Sequence, residues 1–121
     1  MYKYLLIILL MFIPLKSYSS ENVSFLSKFN EAQKLGKTTV IHSTNKYCST
    51  CAKQKKILEQ AKKDFPEVLF LTYDQDNKFI ANLLEVDYWS TILVYKNGNE
   101  NVKRLGVTSK NVIYSLIRRN L

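Results

Sequence analysis

The spacing of apolar and polar positions changes several times along this chain, and each change marks an element. Leu5 to Ile13 is an unbroken apolar run broken by Pro14. Further on, Phe25, Leu26, Phe29, Ala32 and Leu35 fall at helical spacing, and Gly36 closes that segment. Thr38 to His42 reads as a short strand rich in β-branched residues. From Cys48 the pattern is helical again: Cys51, Leu58, Ala61 and Phe65 share one stripe, Lys53, Lys56 and Lys63 point to water, and Pro66 ends the segment. Val68 to Tyr73 reads as a buried strand, and Phe79, Ile80, Leu83 and Leu84 predict a short helix. Thr91 to Tyr95 is a strand, Asn97-Gly98 a tight hairpin turn whose two central residues need positive φ, and Asn101 to Leu105 the returning strand. Val112, Ile113, Leu116 and Ile117 form the apolar face of a last helix, with Arg118 and Arg119 at its negative dipole end. Strands separated by helices imply parallel pairing and the late hairpin adds antiparallel strands, so the predicted class is α/β, a mixed sheet covered by helices.

The N-terminal run has a different reading. Lys3 precedes it, and Ser17 and Ser19 supply small residues where a signal peptidase cuts. The run is shorter than the roughly 20 residues of a membrane helix. Residues 1–19 are therefore expected to be a removed signal peptide and residues 20–121 the mature domain, exported to a periplasmic or other extracytoplasmic space. Retention of the segment would instead anchor the protein to a membrane, the only membrane role expected. A chain of 121 residues allows one domain, and 46% hydrophobic residues suffice for a core. The formal charge of +8 comes with no nucleic-acid recognition motif, so no nucleic-acid partner is expected. Lys53, Lys55, Lys56, Lys62 and Lys63 read as a solvated helix face. Asp74, Asp76 and Asp87 lack the spacing of a calcium loop, and the single histidine, His42, permits no argued Ser-His-Asp triad.

Two cysteines are too few for a disulfide-stapled scaffold or a Cys-rich zinc site, so they act as one pair, Cys48-Ser49-Thr50-Cys51. The pair follows a strand and opens a helix, where free N–H groups and the helix dipole favour an anion. Lys46 and Lys53 push the same way, toward a Cys48 thiolate. Cys51 lies one turn deeper on the same face, within sulfur reach. A permanent structural disulfide is the plainer reading, but so small a loop would constrain the unfolded chain little.

On these residues the sequence resembles the thioredoxin superfamily over nearly the whole mature chain. The matching pieces are Thr39-Val40-Ile41 leading into Tyr47-Cys48-Ser49-Thr50-Cys51, Val68 to Asp74, the segment Thr91-Ile92-Leu93-Val94-Tyr95-Lys96-Asn97-Gly98, and the last helix. The resemblance implies a central mixed sheet of four to five strands flanked by helices, and dithiol/disulfide exchange with Cys48 as exposed nucleophile and Cys51 as buried resolving cysteine. It places Tyr47 where the family keeps an aromatic residue before the first cysteine.

Three positions depart from the family pattern. Ser90, between Trp89 and Thr91, stands where the family has a cis-proline. A cis bond before a non-proline residue costs about 2.5–4 kcal/mol, so a trans Trp89–Ser90 bond is expected. His42 stands where the family has a buried carboxylate. It could accept the Cys51 proton, favour thiolate as an imidazolium, or simply be a hydrogen-bonded core histidine. Ser49-Thr50 replaces Gly-Pro and leaves open whether the couple reduces or oxidises. Tyr88 and Trp89 could form a platform for a substrate peptide or pack into the core.

The expected function is thus an exported, monomeric thiol-disulfide oxidoreductase using Cys48 and Cys51, tuned or contacted by His42, Lys46, Tyr47, Ser49, Thr50, Trp89, Ser90 and Thr91. Its partners would be protein thiols or disulfides and an upstream redox protein, with no cofactor beyond the redox disulfide and no resident metal. The alternative is a redox-inactive binding module, or a metal carrier using Cys48, Cys51 and His42.

Overall fold

The computed structural model describes residues 19–121. The expected signal peptide and its alternative as an anchor lie outside them. No helix among the described residues is long and apolar enough to cross a membrane.

Helix α1 (Ser20–Lys34) starts at Ser19, whose side chain accepts from the Asn22 N–H, and ends before Gly36 at φ +75. Strand β1 (Thr39–Thr44) leads to α2 (Ser49–Asp64), then β2 (Leu69–Asp74), α3 (Lys78–Leu83), β3 (Thr91–Lys96), β4 (Asn99–Leu105) and α4 (Lys110–Arg118). The four strands form one sheet in the order β2-β1-β3-β4. β1 pairs parallel with β2 and antiparallel with β3, and β3 pairs antiparallel with β4. Sheet and helices match the class predicted from the changing periodicity.

Alternation along the central strand sorts the core into two halves. Val40 of β1 joins Ile92 and Val94 of β3 under Leu58, Ala61 and Phe65 of α2's end and Ile113, Tyr114 and Ile117 of α4. Its neighbour Ile41 points the other way and joins Leu71, Tyr73 and Leu93 under Phe25 of α1 and Ile80, Ala81 and Leu84 of α3. A strand buried on both faces has a near-continuous run of buried residues, and β1 does: only Thr44 is even half-exposed. By this alternation His42 lies on the α2 side of the sheet, and Ser43 on the α3 side.

Several boundaries differ from the expected ones. α1 begins earlier, because Ser20 to Ser24 carry no apolar stripe yet follow a capping serine. β4 begins at Asn99 rather than Asn101, because a register shift at Val94/Tyr95 interrupts its alternation. Phe79, Leu83 and Val112, expected on apolar faces, are exposed. The hairpin turn is as expected, with Asn97 at φ 52 and Gly98 at φ 79.

Candidate active site

The C-terminal end of β1 delivers the chain to the cysteines through a turn built on Asn45. This buried side chain accepts from the Tyr47 N–H at 3.1 Å and donates to Asp76 Oδ2 at 3.3 Å, and its backbone carbonyl accepts from the Cys48 N–H at 3.2 Å. Cys48 is the N-cap of α2 in an extended conformation, and its Sγ accepts from the Cys51 N–H at 3.0 Å. The first-turn N–H of α2 is thus already directed at the sulfur that would carry a thiolate.

Cys48 and Cys51 form a disulfide with their Cα atoms 5.2 Å apart. Cys48 is half-buried, whereas Cys51 is 2% exposed. An incoming sulfur therefore meets Cys48 first. Tyr47 is 83% exposed, with the Lys46 ammonium 5.0 Å from its ring centre. Tyr88 and Trp89 are also exposed, so neither is packed into the core. Ser49 is exposed and Thr50 half-buried.

The Ser90 position is built differently from a proline. No cis peptide bond occurs among the described residues, so Trp89–Ser90 is trans. Ser90 instead takes φ +62, a left-handed conformation that is uncommon for a residue with a Cβ. Three hydrogen bonds hold it there. Its N–H donates to the Ser43 carbonyl at 2.8 Å, and its own carbonyl accepts from the Gly106 N–H and from Gln54 Nε2, each at 2.9 Å. The adjoining Thr91 hydroxyl donates to the Tyr88 carbonyl at 2.8 Å, closing the loop on itself.

Gln54 was not anticipated. It lies on the buried stripe of α2, three residues after Cys51 and four before Leu58, and is fully buried. That spacing was the available signal for a polar side chain with partners inside. Its amide NH2 donates to the carbonyls of Ser90 and Val107, at 2.9 and 3.0 Å. Its Oε1 must then face His42 Nε2, 2.8 Å away, so Nε2 carries the hydrogen and donates. The neutral imidazole keeps its lone pair on Nδ1, for which the described residues supply no partner. Burial pushes the His42 pKa below the ordinary value of 6.5, and the Gln54 bond only partly opposes this. The imidazole is therefore held neutral near pH 7. On the other face Gln75 plays a purely structural part, tying Ser43, Tyr73 and the Val86 carbonyl together.

Cys48, Cys51 and His42 line one cleft. Among the described residues no group of three or more His, Cys, Asp or Glu is arranged to hold a metal ion. As placed, the two sulfurs are bonded to each other and His42 Nε2 to Gln54, so of the donors the carrier reading needs, only His42 Nδ1 is unengaged.

The family model for thioredoxin matches residues 20–119. This chain belongs to the thioredoxin family. A thioredoxin H-type from Fagopyrum esculentum is 27% identical over 90 residues, 74% of this chain and 78% of that one. Among solved structures, the thioredoxin of Fasciola hepatica superposes with a TM-score of 0.71 at 26% identity, covering 79% of this chain and 91% of that one. NaTrxh from Nicotiana alata gives 0.73 at 22% identity, covering 84% and 87%, and Trxlp from Edwardsiella tarda 0.71 at 21%, covering 83% and 94%. Membership of the thioredoxin family, together with the Cys48–Cys51 disulfide at the head of α2, supports thiol-disulfide oxidoreductase activity.

Proposed function

We propose that this protein is an exported thiol-disulfide oxidoreductase that exchanges its Cys48–Cys51 dithiol/disulfide with other proteins. The observation that carries the reading is the asymmetry of the pair: a half-exposed sulfur at a helix N-terminus is bonded to a sealed one beneath it. In the reduced form the Cys48 thiolate attacks a partner disulfide, forming a mixed disulfide and expelling one partner thiolate. Cys51 gives its proton to the lone pair on His42 Nδ1 across the shared cleft and attacks Cys48 Sγ. The mixed disulfide breaks, the second partner sulfur leaves as a thiolate, and the partner has gained two electrons. Run backwards, the same steps donate a disulfide. Tyr47, Tyr88 and Trp89 present the apolar rim on which the partner chain rests, with Ser90 and Thr91 shaping the loop beneath.

Turnover of a protein disulfide by wild type, Cys48→Ser and Cys51→Ser, with a chemical reductant supplied, tests the exchange. Wild type is expected to accelerate reduction and Cys48→Ser to fall to the uncatalysed rate. Equal rates for wild type and Cys48→Ser would end the catalytic reading. Export is tested by the N-terminus of the native protein in cell fractions: a start at Ser20 outside the cytosol is expected, whereas an intact Met1 in the cytosolic fraction overturns it.

A further inference from the structure

The disulfide can be approached from a second side, away from the aromatic rim. β2 is an edge strand, and Thr72 and Asp74 on its α2 side remain exposed because the helix does not reach over them. The gap between α2 and β2 is an open cleft of about 390 Å3 whose walls include Cys48, Cys51, His42, Lys46, Lys55 and Asp74. A second cleft continues it along the helix and shares His42, Lys55 and Thr72. Neither is lined by Tyr47, Tyr88 or Trp89.

The cleft carries more cations than anions, Lys46 and Lys55 against Asp74. Lys55 follows Cys51 by four residues, so its ammonium rises from the same helix face as the buried sulfur. Lys46 stands just before the N-cap. The one ion pair among the described residues joins Glu100 and Lys103, so neither lysine is neutralised by contact. The carboxylate of Asp74 accepts from the Asp76 N–H. His42 borders the cleft, and its Nδ1, which has no protein partner among the described residues, opens to solvent there. Two cations against one carboxylate beside a disulfide suit a small anion that carries its own sulfur. The volume falls within the roughly 300–1,000 Å3 of small-molecule sites.

We infer that the α2–β2 cleft is a subsite for a low-molecular-mass thiol bearing carboxylates, which reduces the Cys48–Cys51 disulfide from this side. The inference rests on the exchange reading above and adds a substrate class to it. The thiolate attacks Cys48 Sγ with its carboxylates toward Lys46 and Lys55, the Cys48–Cys51 bond breaks, and Cys51 leaves as a thiolate that takes up a proton. A second thiol attacks the mixed disulfide at the small-molecule sulfur. Two thiols become one small disulfide, and the protein gains two electrons and two protons as its dithiol.

The test measures reduction of the oxidised full protein by mercaptosuccinate, neutral 2-mercaptoethanol and cationic cysteamine, with rates expressed per thiolate. Progress is read by mass after an alkylating quench. Wild type is expected to prefer mercaptosuccinate to 2-mercaptoethanol by about threefold or more at low ionic strength, and salt should erode the preference. Lys55→Glu should bring the ratio to about one or below. Lys56→Glu makes the same charge change on an exposed helix position outside the cleft and should leave the preference in place. Equal ratios in the two variants, or no preference in wild type, overturn the subsite. A preference for cysteine in an aspartate-rich peptide but not for mercaptosuccinate overturns the small-molecule assignment. Resistance of the wild-type disulfide to all three thiols would instead overturn the exchange reading itself.

Discussion

His42 and Ser90 stand where the family has a carboxylate and a proline, and Gln54 joins them. The Gln54 amide fixes the tautomer of the imidazole and simultaneously ties down the Ser90 carbonyl, so the histidine of the cysteine cleft and the Ser90 loop share one side chain. Because burial lowers the His42 pKa, the unfolded chain takes up a proton at a higher pH than the folded one. Stability supplied by the neutral ring is therefore present above about pH 6.5 and is lost as pH falls from there toward the depressed folded value. Denaturant titrations of the oxidised protein at a series of pH values should show this loss, and His42→Asn should show a shallower one over the same window. Parallel profiles would mean that the histidine titrates as freely in the folded protein as in the unfolded chain. Ser90 yields a second expectation. Its φ of +62 is closed to proline, and its N–H already donates to Ser43, so restoring the family residue by Ser90→Pro should destabilise the protein by more than about 1 kcal/mol. Unchanged stability in chemical denaturation would show that the loop readily adopts another path.

At the level of elements, the site is an outcome of where β1 ends and α2 begins. β1 is buried on both faces and fixes the starting point, Asn45 folds the turn, and Cys48 caps the helix with its own sulfur. The remaining sheet supports this junction from a distance, and the β3–β4 hairpin is its most locally determined part. Gln33 of α1 accepts from the Gly98 N–H at 2.8 Å, tying the turn to the first helix. A Cβ on Gly98 would meet no atom within 4 Å, so the cost of Gly98→Ala is that of its φ of +79 alone, about 1–2 kcal/mol. Thermal or urea unfolding checks this, and a loss below a few tenths of a kcal/mol would show that the turn relaxes to another type.

Across the whole molecule, what the sequence disclosed and what it hid follow from the range of the interactions. Every helix and strand of the described chain was legible, most from their own apolar period and β4 from the Asn97-Gly98 turn before it, and Cys48 and Cys51 were legible because their spacing and their place after a strand are local. The trans Trp89–Ser90 bond followed from the chemistry of a single residue. The buried amides were not legible: Asn45, Gln54 and Gln75 acquire meaning only from carbonyls and side chains far along the chain, such as Val107 for Gln54 and Val86 for Gln75. Whether Tyr88 and Trp89 face solvent also depends on tertiary placement, as does the open edge of β2 that leaves Lys46 and Lys55 beside the disulfide.

The central claim is that the two sulfurs are unequal: Cys48 is an accessible thiolate held by the head of α2, and Cys51 is its sealed partner. Alkylation of the reduced protein across a pH series, followed by mass and peptide mapping, tests it most directly. Modification is expected at Cys48 first, with a midpoint below the value of about 8.5 for a free cysteine, while Cys51 stays protected until the protein unfolds. Equal labelling of both cysteines, or a Cys48 midpoint at or above that of a free thiol, would contradict the account.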